Sequence, residues 1–269
     1  MGSPDSIVVI IACLVRSAPL QAITIITEHG SSGHAISPGV CQRLHETVTC
    51  MPKTYYFPSR KLHWLTFAII VLGSFQLAEE LMSGSGLGSV FRYERDLILR
   101  GEYYRLITAH FVHLNWTHFA MNALGVAACC LLLDGTPKGL SFVLISGVTV
   151  ISAGLLLLYP QVQWYVGYSG VLYGQVFYAL LVGILQEIRR ARLQRDPAGL
   201  LRLLLLVLGA VYLLYLVIAA NWPIPGSLQG SDLSEGLIGA PVLHEAHLLG
   251  TLAGLFGFGL LCLRKSTQT

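Results

Sequence analysis

Charge is scarce in this chain. Asp, Glu, Lys and Arg make up 12% of its 269 residues against 54% hydrophobic residues, and the mean hydropathy is +0.65. A solvated globular domain does not have that balance, and the net charge of +3 is no sign of a nucleic-acid partner; what counts is where the basic residues fall. Cysteine spacing is equally uninformative as chemistry. Cys129 and Cys130 are adjacent and Cys262 is isolated, all within apolar segments, while Cys13, Cys41 and Cys50 are scattered. No CxxC pair or zinc cluster is present, so neither a metal nor another cofactor is implied. A basic stretch is also missing ahead of the apolar piece 7–15, which is too short to span a bilayer and is followed by Arg16. We therefore expect 1–50 to be a poorly structured leader or an over-extended reading frame, with a membrane domain over 51–265 and a short cytoplasmic tail over 266–269.

What the chain has in abundance is apolar runs of membrane-crossing length, at about 62–82, 116–133, 140–159, 169–188, 200–221 and 244–263. The expected fold is all-α, a polytopic bundle of six transmembrane helices embedded in the lipid bilayer. Lys53, Arg60 and Lys61 precede span one, Lys138 lies between spans two and three, and Arg189, Arg190, Arg192, Arg195 and Arg202 crowd the link between four and five. Arg264 and Lys265 follow span six. The links between three and four and between five and six hold no Lys or Arg. By the positive-inside rule both termini are cytoplasmic and residue 169 begins its helix near the opposite face. The link 83–115 breaks that rule with Arg92, Arg95, Arg100 and Arg105. Interleaved Glu94, Asp96 and Glu102, with Tyr103, Tyr104, Phe111 and Trp116, fit a structured loop lying in the interface.

Three polar constellations interrupt the apolar spans, where ionisable side chains are costly and tend to be functional. Ser169 stands between Gly167 and Gly170 where a polar connection becomes a helix. Free backbone N–H groups at such a start can stabilise an oxyanion. His118 and Asn122 share a helix face at the start of span two and can both donate hydrogen bonds to one point; as interhelical bonds they would serve equally well. In span six His247 stands one turn before Gly250 and two before Gly254. If that glycine face meets Gly170 and Gly174, His247 lands beside Ser169 as a general base, with Tyr173 placed to stack on its ring. His244 and Glu245 raise a zinc alternative, but the spacing is one short of HExxH and no third ligand follows in a later span.

GxSG in span four, HxxGxxxG in span six and HxxxxHxxxN at the start of span two together resemble the rhomboid family of intramembrane serine proteases, over about residues 61–263. The resemblance implies Ser169 as nucleophile, His247 as general base, and His118, Asn122 and the Ser169 N–H as oxyanion donors. It also implies Tyr173 as the aromatic neighbour of the base and His113 as a packing histidine of the loop. The family's Trp-Arg pair in the membrane-embedded first loop stands here as Tyr104-Arg105, a departure that bears on loop anchoring and not on catalysis. Within the family, the phrases GEYYRLITAHFVHLNW at 101–116 and WYVGYSGVL at 164–172 resemble rhombosortases. Such enzymes are thought to process bacterial surface proteins with a C-terminal Gly-Gly motif, a membrane helix and a basic tail, the GlyGly-CTERM anchors. The expected function is therefore endopeptidase cleavage of membrane-anchored proteins near the outer face of the bacterial cytoplasmic membrane. The alternatives are a general rhomboid protease with other single-span substrates, or a proteolytically silent relative that binds membrane helices. A channel is disfavoured because the polar residues cluster near one face.

Overall fold

A computed structural model describes residues 59–83, 89–133, 135–193, 197–222, 231–239 and 242–266. The leader expected over 1–50 lies outside the described residues, as do 267–269 of the expected tail. The described chain forms α1 (Ser59–Met82), β1 (Tyr93–Glu94), α2 (Arg95–Leu99), α3 (Arg105–Thr108), α4 (Trp116–Leu132), α5 (Pro137–Leu157), β2 (Trp164–Tyr165), α6 (Ser169–Leu193), α7 (Pro197–Asn221), α8 (Ser231–Ile238) and α9 (His244–Ser266).

Five of these helices, α1, α5, α6, α7 and α9, are long and apolar enough to cross a membrane, so the protein is a multi-pass membrane protein. The remaining expected span, span two, corresponds to α4, which is apolar but only 17 residues long. An all-α expectation also needs one amendment. The two-residue strands β1 and β2 pair antiparallel, with Tyr93 opposite Tyr165 and Glu94 opposite Trp164.

Helix starts follow local chemistry. The Asn115 side chain caps α4 by accepting from His118 N at 2.9 Å, and Thr136 caps α5 with Pro137 in its first turn. At the far end of α4, the Lys61 ammonium donates to the Leu133 carbonyl at 2.7 Å, a cation where the helix dipole is negative. The centre of the bundle is α6. Buried residues fill 56% of its apolar window, against 17% in α1 and α7, which leaves those two facing lipid. Within that centre Gln175 is satisfied on both sides: its Nε2 donates to Leu140 O at 3.1 Å and its Oε1 accepts from Tyr168 OH at 3.0 Å. A buried amide without such partners would cost several kcal/mol, of order ~2–7.

The described part of the connection from α1 to α4, residues 89–115, is folded. Arg105 is buried; its Nη1 donates to Ser89 O (3.1 Å) and Arg92 O (2.8 Å), and its Nε donates to Glu102 (2.7 Å). Its guanidinium also lies 5.4 Å from the Tyr104 ring centroid. The Glu79 carboxylate at the end of α1 accepts from Ser89 Oγ and from Phe91 N at 2.9 Å. Arg95 closes α5 by donating to Leu155 O and Leu156 O at 3.2 and 2.9 Å. Together these bonds fix the loop to α1 and α5.

Candidate active site

Two helices meet through glycine. A Cβ added to Gly250 would overlap the Gly170 carbonyl, one on Gly254 the Gly174 carbonyl, and one on Gly174 the Gly250 carbonyl; at Gly170 it would lie 2.9 Å from Ala246 O. Backbones that close fix both separation and register of α6 and α9, since neither can slide without a clash. That seam carries His247 to Ser169, with Nε2 2.9 Å from Oγ. The Tyr173 ring stacks on the imidazole with centroids 4.1 Å apart and planes within 3°, limiting its rotation.

Ser169 is presented by the turn before α6. Gly167 has φ +120°, a conformation that side chains rarely adopt, and a Cβ there would lie 2.8 Å from His118 Cε1. Its amide donates to Ala109 O at 2.9 Å and its carbonyl accepts from Tyr165 OH at 2.6 Å. Tyr168 O accepts the first helical bond, from Leu172 N, so the N–H groups that open α6, that of Ser169 included, lack intrahelical partners.

Across the turn, His118 and Asn122 are buried on one face of α4. Asn122 Nδ2 donates to His118 O at 3.2 Å, leaving its second N–H uncommitted in that bond. His118 Nδ1 is buried without a partner among the described residues. Ser169, His247, Tyr173, His118 and Asn122 all line one cavity of about 600 Å3, together with Met121, Gln161, Trp164, Val166, Leu243 and Glu245. His113 does not line it. Its ring packs edge-on against His118 and Phe119 at 5.0 and 5.7 Å, and its backbone N–H donates to Gln76 at 2.8 Å. Arg105 is likewise remote, in the loop. His244 and His247 stand 6.1 Å apart, centroid to centroid, and among the described residues no three His, Cys, Asp or Glu side chains converge as a metal site.

Two loop histidines make stability pH-dependent. Burial holds His110 down to about 3, where its Nε2 meets Ser152 Oγ at 2.9 Å. Burial, aided by neighbouring His118, also holds His113 down to about 3. Unfolded histidine titrates near ~6.5, so below that pH the unfolded chain binds protons the folded one refuses. Stability is thus fully present above ~6.5 and is lost as pH falls, by up to about 1.4 kcal/mol per pH unit for each histidine. The melting temperature in detergent should be flat above neutrality and decline between about pH 6.5 and 5, less steeply in His110→Gln. A flat profile over that interval would show that these rings are not held neutral by the fold.

Three positions important to this geometry were not singled out as site residues from the sequence. Asn115, besides capping α4, donates through Nδ2 to Ile238 O at 2.8 Å and so fastens the end of α8 beside the cavity. Its capping role was visible as an Asn just ahead of an apolar helix; the long-range bond was not. Tyr165 and Gln175 carry no local signature of the contacts they make.

The family model for the rhomboid domain matches residues 100–264, from within the first loop to near the end of α9, with α1 outside the match. No curated protein and no solved structure matched the chain. That span covers more than half of the chain and takes in every cavity residue described above, and the chain therefore belongs to the rhomboid family, the intramembrane serine proteases.

Proposed function

We propose that this protein is an intramembrane serine endopeptidase with Ser169 as nucleophile and His247 as general base. The observation that carries this reading is the 2.9 Å contact between Ser169 Oγ and His247 Nε2 on a seam that leaves neither helix room to shift. In the proposed reaction a substrate segment unwinds and presents a carbonyl in the cavity. Ser169 Oγ attacks while His247 takes the hydroxyl proton. The oxyanion is received by the Ser169 N–H, the Asn122 amide and the His118 ring. Collapse passes the proton from His247 to the leaving amine, giving an acyl-enzyme that water then resolves with the same histidine as base. No carboxylate orients His247 in this scheme; Tyr173 takes that part by stacking.

The finer assignments belong to the same proposal. Six crossings, with α4 as the short one, would place both termini in the cytoplasm, Ser169 near the outer face of a bacterial cytoplasmic membrane and the first loop in the interface. Substrates are membrane-anchored proteins with one transmembrane helix. The phrases at 101–116 and 164–172 favour GlyGly-CTERM anchors over other single-span proteins. Retention of both Ser169 and His247 argues against a proteolytically silent relative.

An active-site fluorophosphonate separates this mechanism from metal-dependent proteolysis. Full-length protein in detergent should be labelled at Ser169, equally with and without a chelator, and the Ser169→Ala variant should take up none. Labelling that persists in Ser169→Ala would sink the proposal.

A further inference from the structure

The cavity contains a charge that the proposed mechanism leaves idle. Among the described residues lining it, Glu245 alone is formally charged; the others are apolar or neutral polar side chains such as Gln161, Gln163 and Trp164. Every other described glutamate has a partner. Glu79 accepts from Phe91 N, Glu80 from Trp116 Nε1 and Glu235 from Val242 N, while Glu94, Glu102 and Glu187 are paired with arginines. Glu245 makes no hydrogen bond or ion pair with any described residue although it is partly buried. It stands in the first turn of α9, where the helix dipole is positive, and that placement leaves both carboxylate oxygens open to the cavity.

Glu245 is also poorly placed to act on the reacting atoms. It stands two residues before His247, so the two side chains leave α9 in widely different directions, and His247 Nε2 is engaged with Ser169. Both reach the cavity because it wraps around the start of the helix. A free anion lining the same cavity as a nucleophile, among mostly apolar side chains, attracts a cation and repels another anion more strongly than it would in bulk water. Resting on the protease reading above, we infer that Glu245 selects substrates bearing a lysine or arginine within a few residues of the scissile bond and rejects those with an acidic residue there.

The test uses full-length enzyme in lipid vesicles and a single-span reporter whose transmembrane segment starts with Gly, Ala and Ser. The cleaved bond is located by mass spectrometry, and Lys, Ala or Glu is then placed in turn at each neighbouring position. At one or more positions the wild type should favour Lys over Glu by roughly 10- to 100-fold in kcat/KM, the range expected for one charge-assisted contact. Glu245→Gln, which keeps the shape, should collapse that ratio, and Glu245→Lys should reverse it, with added salt weakening the preference in each case. A role of Glu245 in folding alone would change all reporters together and leave the ratios intact. An unchanged ratio in Glu245→Gln, or no preference in the wild type, overturns the inference while Ser169-dependent cleavage stands. A wild type that cleaves no reporter removes the protease reading and this one with it.

Discussion

Cleavage by His247→Ala should fall by about 10^4-fold or more, and Ser169→Ala combined with it should fall little further. In the proposed mechanism the two side chains act through a single proton transfer, so either loss removes the activated nucleophile and the second has nothing left to remove. The residual rate belongs to the oxyanion donors and to substrate binding, which neither change touches. His247 contributes little else to the fold: its hydrogen bond is to Ser169 and its ring faces Tyr173. Melting temperature in detergent should consequently move by only a few degrees, and the variant should purify as a folded protein. A quantitative assay on one reporter, run beside thermal melts of the same preparations, decides the matter. If His247→Ala keeps a tenth of wild-type activity, the base lies elsewhere.

Gly250→Val should be the most damaging single change in the bundle. The clash is with the Gly170 carbonyl, which is backbone at the start of α6 packed against α9 and has no rotamer to escape into. Overpacking of this kind costs about 1–3 kcal/mol or more, and here relief requires α9 to move away from α6. A displacement near 1 Å between base and nucleophile costs on the order of 10^2-fold in rate even where folding survives. Gly250→Val should thus lose fluorophosphonate labelling together with thermal stability. Gly259→Ala, further along α9, meets nothing within 4 Å and should be neutral or stabilising by up to about 1 kcal/mol. The contrast between two glycines on one helix isolates close approach from helix propensity. Equal effects at 250 and 259 would mean that the seam does not hold the site.

How far the sequence speaks for the fold depends on whether the signal is local. The spacing of Gly170 and Gly174 on one helix and of His247, Gly250 and Gly254 on another is helical periodicity, and periodicity is readable without a partner. The long apolar runs became α1, α5, α6, α7 and α9 for the same reason. Span two was drawn at 116–133 because its composition is continuous with the others, and α4 ends at Leu132, one residue short of that, leaving it at 17 residues. Strands β1 and β2 were not legible at all. Two residues have no period, and their pairing joins positions 93 and 94 to 165 and 164. Arg105 could be named as part of a motif, but its hold on the Ser89 and Arg92 carbonyls depends on where the loop returns. Asn115 shows both cases in one residue, a cap that is local and a bond to Ile238 that is not.

The seam between α6 and α9 also has a consequence for biosynthesis. Ser169 leaves the ribosome 78 residues before His247, which at about 5–20 residues per second is on the order of ten seconds. During that interval the glycine face of α6 has no partner that fits it, and the serine has no base. In the proposed mechanism a nascent chain that ends before α9 has a nucleophile and no general base, so the order of synthesis itself delays the reaction. The same mechanism makes competence depend on a single step, the closing of the α9 backbone on that of α6.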